Sequence, residues 1–175
     1  HYNNSTIENN TIENNTYGIS IYGSDNNLII TNDIKENEQD GIKLENADSN
    51  TITRNVILQN KIGLNILGSV SNIIFQNNFI ENNQNAKSIG GINSNFWDNG
   101  RYLGGNYWSD YTGKDVDNDG FGDIPYYIPN ESNRDNYPLM ESYSNLTFNR
   151  PPSATFSYSP SEPTVIENIQ FTDTS

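Results

Sequence analysis

The sequence predicts an all-β protein, a right-handed parallel β-helix with about 22–23 residues in each coil. Three observations support this fold. Asparagines recur at intervals of 22 or 23 residues, the short runs between them alternate apolar and polar residues, and only 33% of the 175 residues are hydrophobic. Stacked coils tolerate so polar a composition because polar side chains can bond to their own copies in the next coil.

Three asparagine columns define the repeat, and glycine and apolar columns lie between them. The asparagines are Asn4, Asn27, Asn50 and Asn72; Asn9, Asn32, Asn55 and Asn77; and Asn14, Asn37, Asn60 and Asn82. The other columns are Gly18, Gly41 and Gly63; Thr6, Ile29, Ile52 and Ile74; and Thr11, Ile34, Ile57 and Phe79. At about 3.3 Å per residue, one unit gives about 75 Å of chain, which suits a three-sided coil.

Each column has an expected place in the coil. Coils stacked about 4.8 Å apart put each residue above its counterpart, so the apolar columns should fill the bore. Asparagines should lie at the bends, where Asn tolerates left-handed backbone and its amide can bond to the next amide in a ladder. The glycines should supply turns with positive φ. A left-handed β-helix would need a six-residue period, which this sequence lacks.

We expect three parts in the chain: β-helix repeats over residues 1–90, a cap over residues 91–148, and a linker with an incomplete domain over residues 149–175. Both tryptophans follow the repeat. The aromatic residues of this segment include Trp97, Tyr107, Trp108 and Tyr111. They form either a plug that protects the sheet ends from aggregation or a platform on which sugar rings stack.

An acidic loop follows the aromatic segment. Its residues of interest are Asp115, Asp117, Asp119, Gly120, Phe121 and Asp123. The four aspartates occupy positions 1, 3, 5 and 9 of the loop, glycine occupies position 6, and the phenylalanine carbonyl occupies position 7. Hard oxygen ligands at this spacing are typical of a calcium site. Four carboxylates so close together repel one another unless a cation neutralises them, so we predict structural Ca²⁺.

The loop departs from an EF-hand at position 12, where Tyr126 replaces the bidentate glutamate. It resembles instead the DxDxDGxxD loops of thrombospondin type 3 repeats and dockerins. A further ligand would then come from Asp110, Asp135 or water. The alternative interpretation is a solvated acidic turn that binds no metal.

Composition excludes several classes of partner. A formal net charge of −13 disfavours nucleic acid and anionic membranes, and no apolar run is long enough to span a membrane. The chain has no cysteine for a disulfide or a thiolate metal site. No aligned acid–base pair is evident on the coils, so the sequence favours a protein that is not an enzyme.

Several asparagines lie in N-x-S/T sequons, which are N-glycosylation acceptors in exported proteins. Asn130 and Asn145 fall in predicted loops and are the candidate sites. Asn9 and Asn14 also begin sequons. Because these two belong to the predicted ladder columns, we expect them to be buried and unmodified.

The repeat, over residues 3 to about 90, resembles those of carbohydrate-binding and sugar-hydrolase-like β-helix proteins and of NosD-like copper-maturation proteins. Residues 95–140 are similar to the segment that follows such repeats in archaeal surface proteins. Residues 149–175, with Pro151 and Pro152 in the linker, resemble the first two strands of a PKD domain, an immunoglobulin-like sandwich. We expect the chain to be a piece of a larger multidomain protein.

The NosD resemblance implies copper delivery, but one His, one Met and no Cys make a poor set of copper ligands. We therefore expect no copper site in this segment. The sequence favours an extracellular structural or adhesive module of the cell envelope, such as a surface-layer, sheath or filament subunit, stabilised by calcium. Its expected partners are copies of itself, neighbouring envelope proteins and glycans. The alternative is a carbohydrate-binding or polysaccharide-processing β-helix protein.

Overall fold

A computed structural model describes residues 4–89, 95–129, 133–143, 156–159 and 170–173. The chain folds into a parallel β-helix of about four coils, in which three strands per coil stack on their counterparts in the next coil. Within the described residues, the single helix is Gly100–Leu103 (α1). The predicted all-β fold with a parallel β-helix is therefore confirmed.

Three parallel sheets form the sides of the coil. Sheet A contains β1 (Thr6–Glu8), β4 (Leu28–Ile30), β7 (Thr51–Thr53) and β10 (Ile73–Phe75). Sheet B contains β2 (Thr11–Glu13), β5 (Asp33–Lys35), β8 (Val56–Leu58), β11 (Asn78–Ile80) and β13 (Tyr107–Trp108). Sheet C contains β3 (Ile19–Tyr22), β6 (Asp40–Glu45), β9 (Ile62–Leu67) and β12 (Gln84–Ile89).

The bore is filled by apolar side chains that stack from coil to coil. The columns are Ile7, Ile29, Ile52 and Ile74; Ile12, Ile34, Ile57 and Phe79; and Ile19, Ile42, Leu64 and Ala86. Burying one such large side chain contributes about 1.5–3 kcal/mol. The prediction was wrong for Thr6 and Thr11, which lie exposed on the outer face, because the register between the first two coils is 22 residues.

Ladders of asparagine amides join the coils. Asn55 Oδ1 accepts the backbone N–H of Asn32 at 2.9 Å and its Nδ2 at 3.0 Å, and Asn55 donates to Asn77 in the same way. The ladder members are Ser5, Asn27, Asn50, Asn72 and Asn95; Asn10, Asn32, Asn55, Asn77 and Asn106; and Asn15, Asn37, Asn60 and Asn82. The predicted ladders are thus correct from the second coil onward.

In the four coils, the residue before each ladder position, here called the corner residue, has the left-handed backbone. In the first coil the corner residues are Asn4, Asn9 and Asn14, with φ values of 66, 56 and 58°. In the later coils they are Asn26, Thr31, Glu36, Ser49, Arg54, Gln59, Ser71, Gln76 and Glu81. We predicted that a single asparagine would have the left-handed backbone and also form the ladder bonds. These two roles belong instead to two consecutive residues.

The glycine column allows neighbouring coils to approach closely. Gly18, Gly41 and Gly63 are absent from the residues with positive φ, so their predicted role as turns is wrong. A Cβ on Gly41 would lie 2.8 Å from the carbonyl oxygen of Gly63 and 2.9 Å from Nδ2 of Asn60. A side chain at these positions would therefore push the coils apart.

A cap covers the end of the bore after the fourth coil. β13 adds one more strand to sheet B, and Tyr126–Tyr127 (β14) pairs antiparallel with Arg134–Asp135 (β15) beyond it. Trp108 stacks on Phe79 of the bore, with ring centroids 4.4 Å apart, and on Tyr126 at 4.2 Å. The cap is therefore a direct continuation of the apolar column in sheet B.

Two further strands lie in the C-terminal segment. Phe156–Ser159 (β16) pairs antiparallel with Gln170–Asp173 (β17). The predicted linker prolines lie outside the described residues. That these strands begin a PKD domain stays a prediction.

Candidate metal centre

The acidic loop is fixed to the cap by a buried aromatic side chain. Phe121 is 8% exposed, and its ring meets that of Tyr137 edge to face at a centroid distance of 6.1 Å. Its backbone forms a bridge to Leu139. A Cβ on Gly104 would lie 2.4 Å from the phenyl ring, so this glycine leaves the space that the ring occupies. One half of the loop is thus packed into the protein, and the other half faces solvent.

Three of the predicted ligands lie together. One carboxylate oxygen from each of Asp115, Asp117 and Asp119 lies within 4.8 Å of the others. The backbone reverses through Asn118, with a φ of 57°, and Gly120, with a φ of 92°. Both values lie in the left-handed region that Gly and Asn tolerate, so the sequence of the turn allows the three side chains to converge.

Carboxylate-to-backbone hydrogen bonds hold the loop in this shape. Asp115 Oδ1 accepts the N–H of Asp119 at 3.1 Å, and its Oδ2 accepts the N–H of Gly120 at 2.9 Å. Asp119 Oδ1 accepts the N–H of Phe121 at 3.0 Å. The turn of the loop is therefore held by hydrogen bonds between its own carboxylates and its own backbone.

Arg101 in α1 is the counter-ion of this group. Its guanidinium lies 2.8 Å from Asp119 Oδ2 and 3.6 Å from Asp117 Oδ2. The hydrogen bond to Asp119 is the first cause of a raised pKa for Arg101. Three carboxylates and one guanidinium leave a local net charge of −2. That charge is what a divalent cation would neutralise.

The other predicted ligands have different partners. Asp123 is outside the three-carboxylate group, and its Oδ2 accepts the N–H of Val116 at 2.8 Å. Asp110 accepts hydrogen bonds from Asn85 and Tyr126. Asp135 is fully buried in the cap, where its carboxylate accepts hydrogen bonds from Asn106 and Trp108.

Asp135 ends the middle asparagine ladder. Its Oδ2 accepts the backbone N–H of Asn106 at 2.7 Å and the indole N–H of Trp108 at 2.9 Å, and its Oδ1 accepts the N–H of Tyr137 at 3.0 Å. Burial raises the pKa of Asp135 to about 7, and these three donors oppose the rise. The Asp135 carboxylate therefore connects its own strand, β15, to Asn106 at the end of the middle ladder.

The predicted sugar-stacking residues are mostly covered. Trp97 and Trp108 are each 1% exposed, and both faces of the Trp108 indole are in contact with other rings. Tyr107 and Tyr111 are half-buried, and the Tyr111 hydroxyl donates to the carbonyl of Ile124 at 2.6 Å. Sugars stack on exposed aromatic faces, which the two tryptophans do not offer. The candidate glycan sites Asn130 and Asn145 lie outside the described residues.

Sequence reasoning missed Arg101, and it named Asp135 as a possible metal ligand but missed its place at the end of the middle ladder. Arg101 stands alone in a segment without a repeat, so no pattern connected it with the acidic loop 14 residues later. For Asp135 a signal exists. The middle ladder advances by 29 residues from Asn77 to Asn106 and by 29 again to Asp135. A search restricted to the 22–23-residue period could not find it.

The donors around the loop do not suit copper. Copper sites use imidazole and sulfur ligands, whereas the clustered donors here are carboxylate oxygens, which are hard ligands. The single histidine, His1, lies outside the described residues, and the chain has no cysteine. The single methionine, Met140, is half-buried in the cap.

Separately, no helix among the described residues is long and apolar enough to cross a membrane.

Comparison with known proteins identifies a matching family. The family described as "Periplasmic copper-binding protein (NosD)" matches residues 1–113, which include all the coils and the aromatic cap segment but end before the acidic loop. No curated protein matches the chain, and no solved structure does. Because 113 of the 175 residues are matched and the matched range folds as a parallel β-helix, the chain belongs to the NosD family.

Proposed function

We propose that this chain is a structural or adhesive module of the cell envelope, exposed at the cell surface, and that Ca²⁺ bound by the acidic loop stabilises its cap. The observation that carries the proposal is the use of the interior polar groups. Amides such as Asn55 and Asn77, with no exposed surface, bond coil to coil. Interior amides committed in this way stiffen the module and are not available to a substrate.

The ion pairs on the outer faces favour a role without catalysis. Lys35 lies 3.0 Å from Asp33 and 3.4 Å from Glu13, and Lys43 lies 2.8 Å from Glu45. The hydrogen bonds that Lys35 donates to Asp33 and Lys43 donates to Glu45 are the first causes of the raised pKa values of these lysines. Protonated lysines do not act as general bases at neutral pH.

Self-association is supported by the outer face of sheet A. Its outward side chains are largely apolar from the second coil onward: Leu28, Ile30, Thr51, Thr53, Ile73, Phe75 and, on the next rung, Phe96. The outer face of sheet C mixes charged and apolar side chains, with Lys43, Glu45 and Lys87 beside Tyr22 and Ile89. Contiguous apolar surface on a protein commonly marks a contact with another molecule, so sheet A is the side on which we expect copies to associate.

Sedimentation velocity of the full chain, in calcium and in a chelator, tests this proposal. We expect particles larger than a monomer, and we expect Ile73→Lys in sheet A to return them to monomers. Ser20→Lys on the exposed face of sheet C is the matched control and should still associate. Monomers at every concentration, together with recovery of the native protein from the cytoplasm, would contradict the structural role.

A cleft beside the cap favours carbohydrate binding as the second candidate. It has a volume of about 220 Å³ and is lined by Asn95, Phe96, Trp97, Asp98, Asn133, Arg134 and Asn136. Phe96 is 57% exposed, and the indole N–H of Trp97 is buried without a hydrogen-bond partner among the described residues. An exposed ring beside amide and charged groups suits a polyhydroxylated ligand.

Ligand-observed NMR with a panel of oligosaccharides tests the second candidate. Binding to this cleft predicts saturation transfer that Phe96→Ala abolishes and that Tyr102→Ala leaves intact, since Tyr102 is 83% exposed and outside the cleft. Equal signals from the native chain and Phe96→Ala would exclude this cleft as the carbohydrate site.

A further inference from the structure

The three corners of the first coil each begin an N-x-T sequon. The corner residues Asn4, Asn9 and Asn14 are followed two positions later by Thr6, Thr11 and Thr16. We propose that these three asparagines accept N-linked glycans. The inference rests on the proposed location outside the cytoplasmic membrane, and it replaces the expectation that Asn9 and Asn14 are buried ladder members.

The corner position is exposed because of its place in the coil. The later coils have a neighbour on each side, and their exposed corner residues are Asn26, Thr31, Glu36, Ser49, Arg54, Gln59, Ser71 and Glu81. Gln76 is the buried corner, and its Nε2 donates to the carbonyl of Leu103 in the cap. Exposure of Asn4, Asn9 and Asn14 therefore follows from corner geometry and does not depend on whether another coil covers the first one.

Corner and ladder asparagines differ in whether their Nδ2 is available. In the ladder, Asn32 Nδ2 donates to the carbonyls of Ile7 and Ile30 and to Oδ1 of Asn55. A sugar on that nitrogen would remove buried hydrogen bonds and find no space. At the corner, Asn9 uses its Oδ1, which accepts the hydroxyl of Thr31 at 2.8 Å, and no described residue accepts a hydrogen bond from its Nδ2. The fold can thus accommodate a glycan at a corner.

The sequence pattern at these corners is not explained by backbone geometry alone. Left-handed backbone favours Asn at a corner, but it says nothing about the residue two positions later. Among the nine corners of the later coils, Asn occurs once, at Asn26, and Thr follows two positions later once, at Thr51. The two never occur together there, whereas they coincide at all three corners of the first coil.

The modification is a glycosyl transfer from a polyprenyl-phosphate- or diphosphate-linked oligosaccharide, catalysed by an oligosaccharyltransferase. The amide nitrogen attacks C1 of the first sugar, the bond from C1 to the phosphate oxygen breaks, and a C–N bond forms. The amide loses one proton, and the polyprenyl phosphate or diphosphate leaves. The sequon threonines are exposed on the outer faces of β1 and β2 and after β2, so none of the bore residues takes part.

Mass spectrometry of the protein isolated from its own organism tests the inference. Residues 1–34 contain no Lys or Arg, so one tryptic peptide ending at Lys35 holds all three asparagines. We expect this peptide to carry added hexose-type mass, and electron-transfer fragmentation to locate it on Asn4, Asn9 and Asn14. Thr11→Val should lose the glycan on Asn9, whereas Thr11→Ser, which keeps the sequon, should retain it.

The outcomes separate this inference from the proposed function. An unmodified peptide in protein recovered outside the cytoplasmic membrane overturns the glycosylation and leaves the envelope role standing. An unmodified peptide in protein confined to the cytoplasm overturns both. A glycan that persists in Thr11→Val at the same site would also contradict the assignment, because the sequon would then not direct it.

Discussion

Asp135 is an acceptor placed where a ladder of donors ends. In the middle ladder each amide donates toward the next coil, so the last one, Asn106, needs an acceptor beyond it. A carboxylate accepts on both oxygens and has no N–H that would be left unpaired. It also accepts the indole N–H of Trp108, which fixes the plug on the bore. One buried acidic side chain thus connects the coils to the cap.

Asp135 gives stability a specific pH dependence. Burial raises the pKa of Asp135 to about 7 in the folded chain, whereas the ordinary pKa of an aspartate carboxyl is 3.8. Between about pH 4 and about pH 7, folding is accompanied by uptake of a proton on Asp135. The contribution of Asp135 to the free energy of unfolding therefore falls as pH rises through this range. Asp135→Asn should lack that component. Urea unfolding of both chains across this range, with a chelator present, measures it, and parallel pH profiles would contradict the assignment.

The ladder amides should be more costly to lose than the corner side chains. Asn55→Ala leaves the backbone N–H of Asn32 without its acceptor in the interior and removes the hydrogen bonds that the carbonyls of Ile29 and Thr53 accept from Asn55. Each buried unsatisfied group costs about 1–3 kcal/mol, so we expect a loss of about 3 kcal/mol or more. Gln59→Asn, at an exposed corner with positive φ, is the control and should be neutral or slightly stabilising. Equal losses would contradict the division between ladder and corner.

The coil is the element in which sequence periodicity was most informative. Columns such as Ile29, Ile52 and Ile74 could be assigned from spacing alone, because each coil repeats one geometry. The error in the first coil came from its run of paired asparagines, where Asn9 and Asn10 fit the same spacing almost equally well. The bore column identifies the correct one, since Ile12, the partner of Ile34, lies two residues after the ladder residue Asn10.

The glycine column sets how closely the coils pack. Gly41→Ala would place a methyl group 2.8 Å from the carbonyl oxygen of Gly63. Relieving such overpacking costs about 1–3 kcal/mol, and the loss should be visible as a lower midpoint of chemical unfolding. Ser20→Ala, on an exposed position of β3, is the matched control and should change the midpoint little. An unchanged midpoint for Gly41→Ala would show that the coils can separate freely.

The short helix α1 supplies a positive charge that would compete with a cation at the acidic loop. Arg101→Gln removes the guanidinium from Asp119 and Asp117, so repulsion among the carboxylates rises. We expect a lower melting temperature in chelator and a larger increase on adding calcium than in the native chain. Arg134→Gln, an exposed arginine in β15, is the control. If Arg101→Gln and Arg134→Gln responded identically to calcium, Arg101 would have no influence on a cation site.

At the scale of the whole molecule, repetition decides what the sequence could predict. The β-helix was predictable because its contacts recur in fixed columns. The cap was predictable only in part, since Trp97 and Trp108 signalled a change of structure but not which rings they would contact. Asp135 meets Asn106 across 29 residues, and Arg101 meets Asp119 across 18, by contacts that occur once in the chain. Single contacts of this kind leave no periodic signal.

The central claim is that Ca²⁺ stabilises the cap of the β-helix. Its most direct test is the melting temperature of the native chain, measured in calcium and in chelator. At a calcium concentration of about 100 times the dissociation constant, binding adds about 2.7 kcal/mol. For a chain of this size that raises the melting temperature by about 5–10 °C. Asp119→Asn should remove most of the shift. Equal melting temperatures in calcium and in chelator would contradict the claim and leave the acidic loop a solvated turn held by Arg101.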